Sequence, residues 1–159
     1  MLMFVFSGLI VLLDQFFKRW IVLTHNIGDE TVLIPKLLSL FHLENTGAAF
    51  GLFADKPWAQ VFFLSVSSVA IVVFLIFFVL NLNGSFFLKT SLALIISGAI
   101  GNFLDRVVLN SVRDFISVHF FPAIFNVADS MLVAGCIVLV FYFLFLDNNA
   151  VFKSKKKTD

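Results

Sequence analysis

Long apolar runs separated by short polar stretches set the pattern of this chain. Residues 58–80 run for 23 positions without a formal charge, enough at ~1.5 Å per residue to cross a hydrocarbon layer ~30 Å thick. Residues 123–146 form a second run, interrupted only by Asp129 near its start. A third, 86–109, carries Asp105 and Arg106 near its end, and the first, about 2–23, carries Asp14, Lys18 and Arg19 in its second half. The pattern predicts an all-α membrane protein, a four-transmembrane-helix bundle occupying one integral membrane domain over 1–152, with a short basic tail at 153–159. Residues 1–13 lack a basic leading segment, and charges stand where small residues would mark a cleavage site, so the first run is read as a retained span rather than a signal peptide.

The connections differ in kind. Asn81-Leu82-Asn83-Gly84-Ser85 is a turn by composition. Residues 24–57 are long for a plain connector, and long loops tend to carry function. Within them, 31–43 is rich in Val, Leu, Ile and Phe with Pro35 as an interruption, which fits short strands on the membrane surface.

Composition sharpens this. The 159 residues are 60% hydrophobic and 13% charged, with mean hydropathy +1.04, against a charged share near ~25% in soluble domains. The 23 phenylalanines suit a lipid-facing surface, and a net charge of +1 gives no electrostatic case for nucleic acid. The one cysteine, Cys136, excludes an internal disulfide and a multi-cysteine metal site; it lies deep in an apolar run and is expected to pack there. Lys and Arg number six on one side of the bundle (Lys18, Arg19, Lys36, Lys56, Arg106, Arg113) and five on the other (Lys89, Lys153, Lys155, Lys156, Lys157), too even to fix orientation.

Topology then gathers the polar residues. In an up-and-down bundle the end of the first helix, the start of the second, the end of the third and the start of the fourth share one face. Asp14, Lys18, Asn45, Asn102, Asp105, Arg106, Asp114, Asn126 and Asp129 all fall there. A charge buried in a bilayer costs ~2.5–3.5 kcal/mol on insertion scales, so such residues pair or line a wet cavity. Asp14 and Lys18, spaced i, i+4, can pair on one helix face; Asp105 beside Arg106 is a second candidate pair. Ala93, Ser97, Gly101 and Asp105 recur every four residues, a small-residue stripe that brings Asp105 to a close helix junction.

Asp114 and Asp129 stand fifteen residues apart with Pro122 between them, so a returning loop can set one opposite the other. Two carboxyls in a partly desolvated site share one proton, a state suited to hydrolysis: one takes a proton from water while the other supports the developing oxyanion. Ion or proton translocation through Asp14, Asp105 and Asp129, or structural pairing alone, are the alternatives these residues leave open. His25, His42 and His119 are scattered, and a metal held by His119, Asp114 and Asp129 is the weaker chemistry; no metal or other cofactor is expected.

Five segments carry a resemblance. Asp14-Gln-Phe-Phe-Lys18, Asn45-Thr-Gly-Ala-Ala-Phe50, Gly98-Ala-Ile-Gly-Asn-Phe-Leu-Asp-Arg106, Arg113-Asp-Phe115 and Phe125-Asn-Val-Ala-Asp-Ser130 resemble, in order and spacing, bacterial lipoprotein signal peptidase (signal peptidase II). The resemblance implies an aspartic endopeptidase of the bacterial inner membrane, with both termini cytoplasmic. Its substrates would be diacylglyceryl-modified prolipoproteins, cut before the lipidated cysteine, with membrane lipids as its other partners and the chain acting as a monomer. It assigns catalysis to Asp114 and Asp129, substrate binding or positioning to Asn45, Gly47, Asn102, Asp105, Arg106 and Asn126, and structural support to Asp14 and Lys18. It also implies a small extracytoplasmic β-cradle and a short helix within 24–57. Two residues depart from the family pattern: Ser97 where Gly is more frequent, and Arg113 where an apolar residue usually precedes the Asp, a cation that would favour ionised Asp114 if it approached.

Overall fold

A computed structural model of the chain describes residues 2–47, 52–54 and 56–147. The described chain folds as α1 (Leu2–Thr24), β1 (Glu30–Ile34), β2 (Leu38–Asn45), α2 (Ala59–Leu80), α3 (Phe86–Leu109), β3 (Val112–Val118), β4 (Ile124–Phe125) and α4 (Val127–Phe141), the last continuing as a π-helical turn, Tyr142–Leu146. Three stretches, Ala59–Leu80, Phe86–Leu109 and Val127–Leu146, are long and apolar enough to cross a membrane. α1 matches them with 23 residues but carries Asp14, Lys18 and Arg19 in its second half. The basic tail, and residues 48–51 and 55 of the segment expected to form a short helix after the first strands, lie outside the described residues.

The expected all-α description needs one correction. The strands join in one antiparallel sheet in the order β1-β2-β3-β4, so the region between α3 and α4 contributes half of it. β1 and β2 lie within the long first loop, as its Val, Leu and Ile content suggests. β3 is the addition, and it is the strand that carries Asp114. Because Ile124 and Phe125 pair with Ser117 and Ile116, α4 begins at Val127 rather than near Ala123.

α3 is the central helix and packs on α1, α2 and α4. Its Ala93, Ser97, Gly101 and Asp105 stripe is buried throughout, as the four-residue spacing implies. Close approach is steric: a Cβ at Gly135 of α4 would lie 2.8 Å from Ile95 Cγ1 and 2.9 Å from Ser91 O, and one at Gly101 would lie 2.7 Å from Asp14 Oδ2. α2, in contrast, buries only Ala59 and Phe78; Phe74 and Phe77 pack partly buried against the core, and much of its remaining apolar surface is exposed. Cys136, expected to pack inside, is exposed on α4; its face of the helix points away from α3.

Caps set the helix ends that matter. Ser85 Oγ accepts the Leu88 N–H at 3.1 Å and starts α3 after the 81–85 turn. Asn110, with φ 57°, ends it in the left-handed region, where Asn is better tolerated than most residues. The chain thereby reverses into β3.

Gly135→Val should lower stability by ~1–3 kcal/mol through overpacking, read as a fall in Tm in detergent. Gly8→Ala, where a Cβ meets nothing within 4 Å, should leave Tm unchanged or raise it slightly. Equal responses of the two variants would contradict the close α3–α4 junction.

Candidate active site

Side-chain alternation along β3 decides where its charges go, because successive residues of a strand point to opposite faces. Val112 and Asp114 face a cavity of ≈ 750 Å³, whose polar end also holds Asn45, Gly47, Asn102, Arg106 and Asp129. Arg113 faces the other way. Its Nη2 lies 2.6 Å from Asp105 Oδ1 and its Nε donates to Asp105 Oδ2 at 3.1 Å. The cation beside Asp114 in sequence therefore turns away from it and pairs with Asp105.

Asp129 is fixed by the start of α4. Asn126 is the N-cap: its Oδ1 accepts the Asp129 N–H at 2.9 Å, and Asp129 Oδ2 accepts the Asn126 N–H at 3.1 Å. This reciprocal capping box satisfies two amides that a helix start leaves open. The Asp129 side chain thus has one orientation available, with Oδ1 turned toward α3.

Amides bridge the two carboxyls. Asn126 Nδ2 donates to Asp114 Oδ1 at 2.7 Å and to Asn102 Oδ1 at 3.1 Å. Asn102 Nδ2 donates to Asp129 Oδ1 at 2.6 Å. Asn45 Nδ2 reaches Asp114 Oδ2 at 3.0 Å, a diagonal neighbour across the β2–β3 pair, since Asn45 sits opposite Val112. Asn45 Oδ1 in turn accepts the Gly47 N–H at 2.9 Å. Among the described residues the donors to the pair are neutral amides, and no ion pair to either carboxyl is formed.

Asp114 is buried, and burial together with the charge of Asp129 pushes its pKa up to about 7, against the opposing pull of the Asn45 and Asn126 hydrogen bonds. A carboxyl that keeps a proton near neutrality can act as an acid there.

Asp105 and Arg106, adjacent in sequence and expected as a pair, diverge. Asp105 turns inward to Arg113 and to Lys18, 3.4 Å away. Arg106 donates from Nη2 to Gly47 O at 3.1 Å and lies over the Phe63 ring, 5.1 Å from its centroid, joining the loop after β2 to α2. Gly47 tolerates no side chain, since a Cβ would lie 2.9 Å from Ala54 N. Asp14 and Lys18 do pair, at 2.9 Å and with no solvent exposure.

The weighed metal site does not assemble among the described residues. His119 Nε2 instead meets Ser39 Oγ at 2.6 Å and lies 3.6 Å from Glu30, at the far part of the sheet. Gln15, which sequence reading passed over as part of a longer motif, connects Asp14, Asp105 and Arg113. Its spacing from Asp14 gave no signal, because the partners lie about 90 residues further along the chain.

From its polar end the cavity continues along α4 past Leu132, Val133 and Ile137, with Phe120, Phe121 and Phe125 opposite. Val133 and Ile137 are exposed on the outer face of α4, so the apolar part opens sideways toward lipid.

Comparison with known proteins places the chain in a family. The family profile described as Signal peptidase (SPase) II matches residues 6–145. A lipoprotein signal peptidase of Clostridium tetani is 41% identical over 139 residues, 84% of this chain and 86% of that protein. One of Enterococcus faecalis is 40% identical over 158 residues, 98% and 95% of the two chains. A bacterial membrane enzyme solved in meso at 2.3 Å superposes with TM-score 0.84 at 32% identity, covering 97% of this chain and 94% of that one. A second, at 1.9 Å, gives 0.81 at 30% identity over 91% and 94%. With its family profile running through nearly the whole chain and relatives matched almost end to end, this protein belongs to the signal peptidase II family.

Proposed function

We propose that the chain removes signal peptides from diacylglyceryl-modified prolipoproteins, cleaving before the lipidated cysteine, with Asp114 and Asp129 as its catalytic pair. The observation that carries this reading is the single cavity that has both carboxyls at its polar end and a lipid-open apolar wall along α4. A lipoprotein signal peptide is itself an apolar helix, so its scissile bond reaches the enzyme from within the bilayer. The apolar wall suits that helix or the acyl chains; the polar end suits the peptide bond beside them.

In the reaction, water sits between the two carboxyls. The ionised carboxylate takes a proton from water as its oxygen attacks the scissile carbonyl carbon, and the protonated partner donates to the carbonyl oxygen. Collapse of the tetrahedral intermediate breaks the C–N bond and returns a proton to the departing amine. The products are a signal peptide with a free carboxylate and a lipoprotein with a free cysteine amine. Asn126 and Asn102 keep the carboxyls oriented through these transfers, and Arg106 holds Gly47, just beyond Asn45 at the end of β2.

For the membrane arrangement, four spans with both termini cytoplasmic and the sheet at the outer leaflet of the inner membrane fit best. α1 supports a fourth span: Asp14 and Lys18 neutralise each other inside the bundle, and Arg19 beside Trp20 marks an interfacial end. A monomer suits this reading, since both carboxyls and the amides that bond them come from one chain. A proton relay gains no support, because Asp14 and Asp105 gather around one lysine instead of spreading across the bilayer.

Asp114→Asn and Asp129→Asn should each insert and fold, yet lose cleavage of a lipid-modified prolipoprotein by at least ~10³-fold; near-parental cleavage by either variant would sink the pair. Activity should survive a strong chelator, and a loss restored by zinc would reverse the metal-free reading.

The pH response follows from Asp114. Its pKa near 7 means that the proton needed for acid catalysis leaves above neutrality. kcat/KM should therefore decline above about pH 7, approaching tenfold per unit. For stability the sign is opposite to that of a salt-bridged aspartate. The folded state holds this proton more tightly than the unfolded chain, so the contribution is full below the unfolded pKa and is lost as pH rises through about 7. Asp114→Asn should accordingly have a higher Tm than the parent at pH 8; a lower one there would contradict the buried charge.

A further inference from the structure

Two buried carboxylates outside the cavity perform the same task at two places. Asp14 Oδ1 accepts the backbone N–H of Ala128 at 2.9 Å, one residue before Asp129. Asp105 Oδ2 accepts the backbone N–H of Arg113 at 3.0 Å, one residue before Asp114. A single ammonium joins them, since Lys18 Nζ lies 2.9 Å from Asp14 Oδ2 and 3.4 Å from Asp105 Oδ2. It also donates to Asn102 Oδ1 at 3.0 Å.

The Asp105 half of this assembly has two further members. Arg113 grips Asp105 through Nε and Nη2, at 3.1 and 2.6 Å. Gln15 Oε1 accepts from Arg113 Nη2 at 3.0 Å, while its Nε2 donates to Asp105 Oδ1 at 3.0 Å and to Gly101 O at 3.1 Å. Gln15 thus ties α1, α3 and β3 together. Neither Arg113 nor Gln15 lines the cavity, so neither touches substrate.

We propose that Arg113 and Gln15 are positioning residues for the cleavage reaction: they bolt β3 to α1 and α3 and so hold Asp114 at its working distance from Asp129. The proposal rests on the reading of those two aspartates as the catalytic pair. Asp129 has a helix cap to fix it, whereas Asp114 rides on a seven-residue strand whose outer neighbour is the two-residue β4. Cross-strand hydrogen bonds fix the height of Asp114 along β2, and Asn126 ties its carboxyl to the start of α4, but neither fastens β3 to α1 and α3. The bolt supplies that attachment from the face opposite the cavity. The N–H bond to Asp105 is open to any residue but proline at 113; the guanidinium fork needs the arginine.

The experiment compares Arg113→Met, Arg113→Lys, Gln15→Leu and the charge-balanced double variant Arg113→Met/Asp105→Asn, each purified in detergent. Tm is measured alongside kcat and KM on a lipid-modified prolipoprotein. Arg113→Met and Gln15→Leu should lower kcat by about tenfold or more with KM within about twofold, the signature of a lost transition-state alignment. Arg113→Lys, which keeps the charge and loses the fork, should fall between Met and the parent. The double variant should recover Tm by removing the unpaired buried charge, while its kcat stays low.

A kcat that returns with Tm in the double variant, or a loss confined to KM, would overturn the proposal. If Arg113→Met does not fold, the double variant alone decides between these outcomes. Asp114→Asn run in parallel separates the two readings. Cleavage by that variant would remove the catalytic pair itself, whatever the Arg113 series gives.

Discussion

The buried charges that join α1 to α3 meet at the ammonium of Lys18. It has no solvent exposure, and neither do the side chains of its partners Asp14 and Asp105. Removing one partner from a fully buried ion pair costs ~3–5 kcal/mol, because an uncompensated charge remains behind. α1 therefore has only one position against α3 at which its two buried charges are answered. Gly101 permits that position, since any side chain there would occupy the space of the Asp14 carboxylate. Small-residue packing and charge pairing demand the same geometry, and α4 follows because Asp14 also holds the Ala128 amide.

The electrostatic design separates the ion-paired charges from the carboxyls of the cavity. Lys18 and Arg113 contact Asp14 and Asp105, whereas Asp114 and Asp129 receive their side-chain hydrogen bonds from Asn45, Asn126 and Asn102. A cation in contact with Asp114 would favour its ionised form and release the proton it holds near neutrality. Neutral amides orient a carboxyl at a smaller electrostatic cost. Arg106, the cation that does line the cavity, turns its Nη2 to the Gly47 carbonyl and stacks on Phe63.

The helices are legible in the sequence because their cause is local: an unbroken apolar run in a 3.6-residue geometry reads the same with or without its neighbours. Asp14 with Lys18, and the stripe from Ala93 to Asp105, are legible for the same reason, as both are periodicities within one element. β3 is not. Val112 to Val118 alternates imperfectly and is made a strand by β2, whose residues lie about 70 positions earlier. The pairing expected between Asp105 and Arg106 fails on equally physical grounds, because adjacent helix residues diverge by ~100° about the axis and do not face each other. Cys136 shows a further limit: depth within an apolar run gives depth in the membrane and says nothing about which face of the helix meets lipid.

The same alternation settles what Arg113 does to its neighbour. In a helix or an irregular loop, a guanidinium next to Asp114 could swing toward it and hold it ionised. In a strand, consecutive side chains leave on opposite faces, and the backbone N–H of Arg113 is already committed to Asp105. The cation is therefore screened from Asp114 by the sheet itself, and the effects that do act on Asp114 are burial, Asp129, the two amides and the more distant Lys18. A cation that would disturb the cavity carboxyl in another backbone conformation is, in this one, paired with Asp105 on its far side.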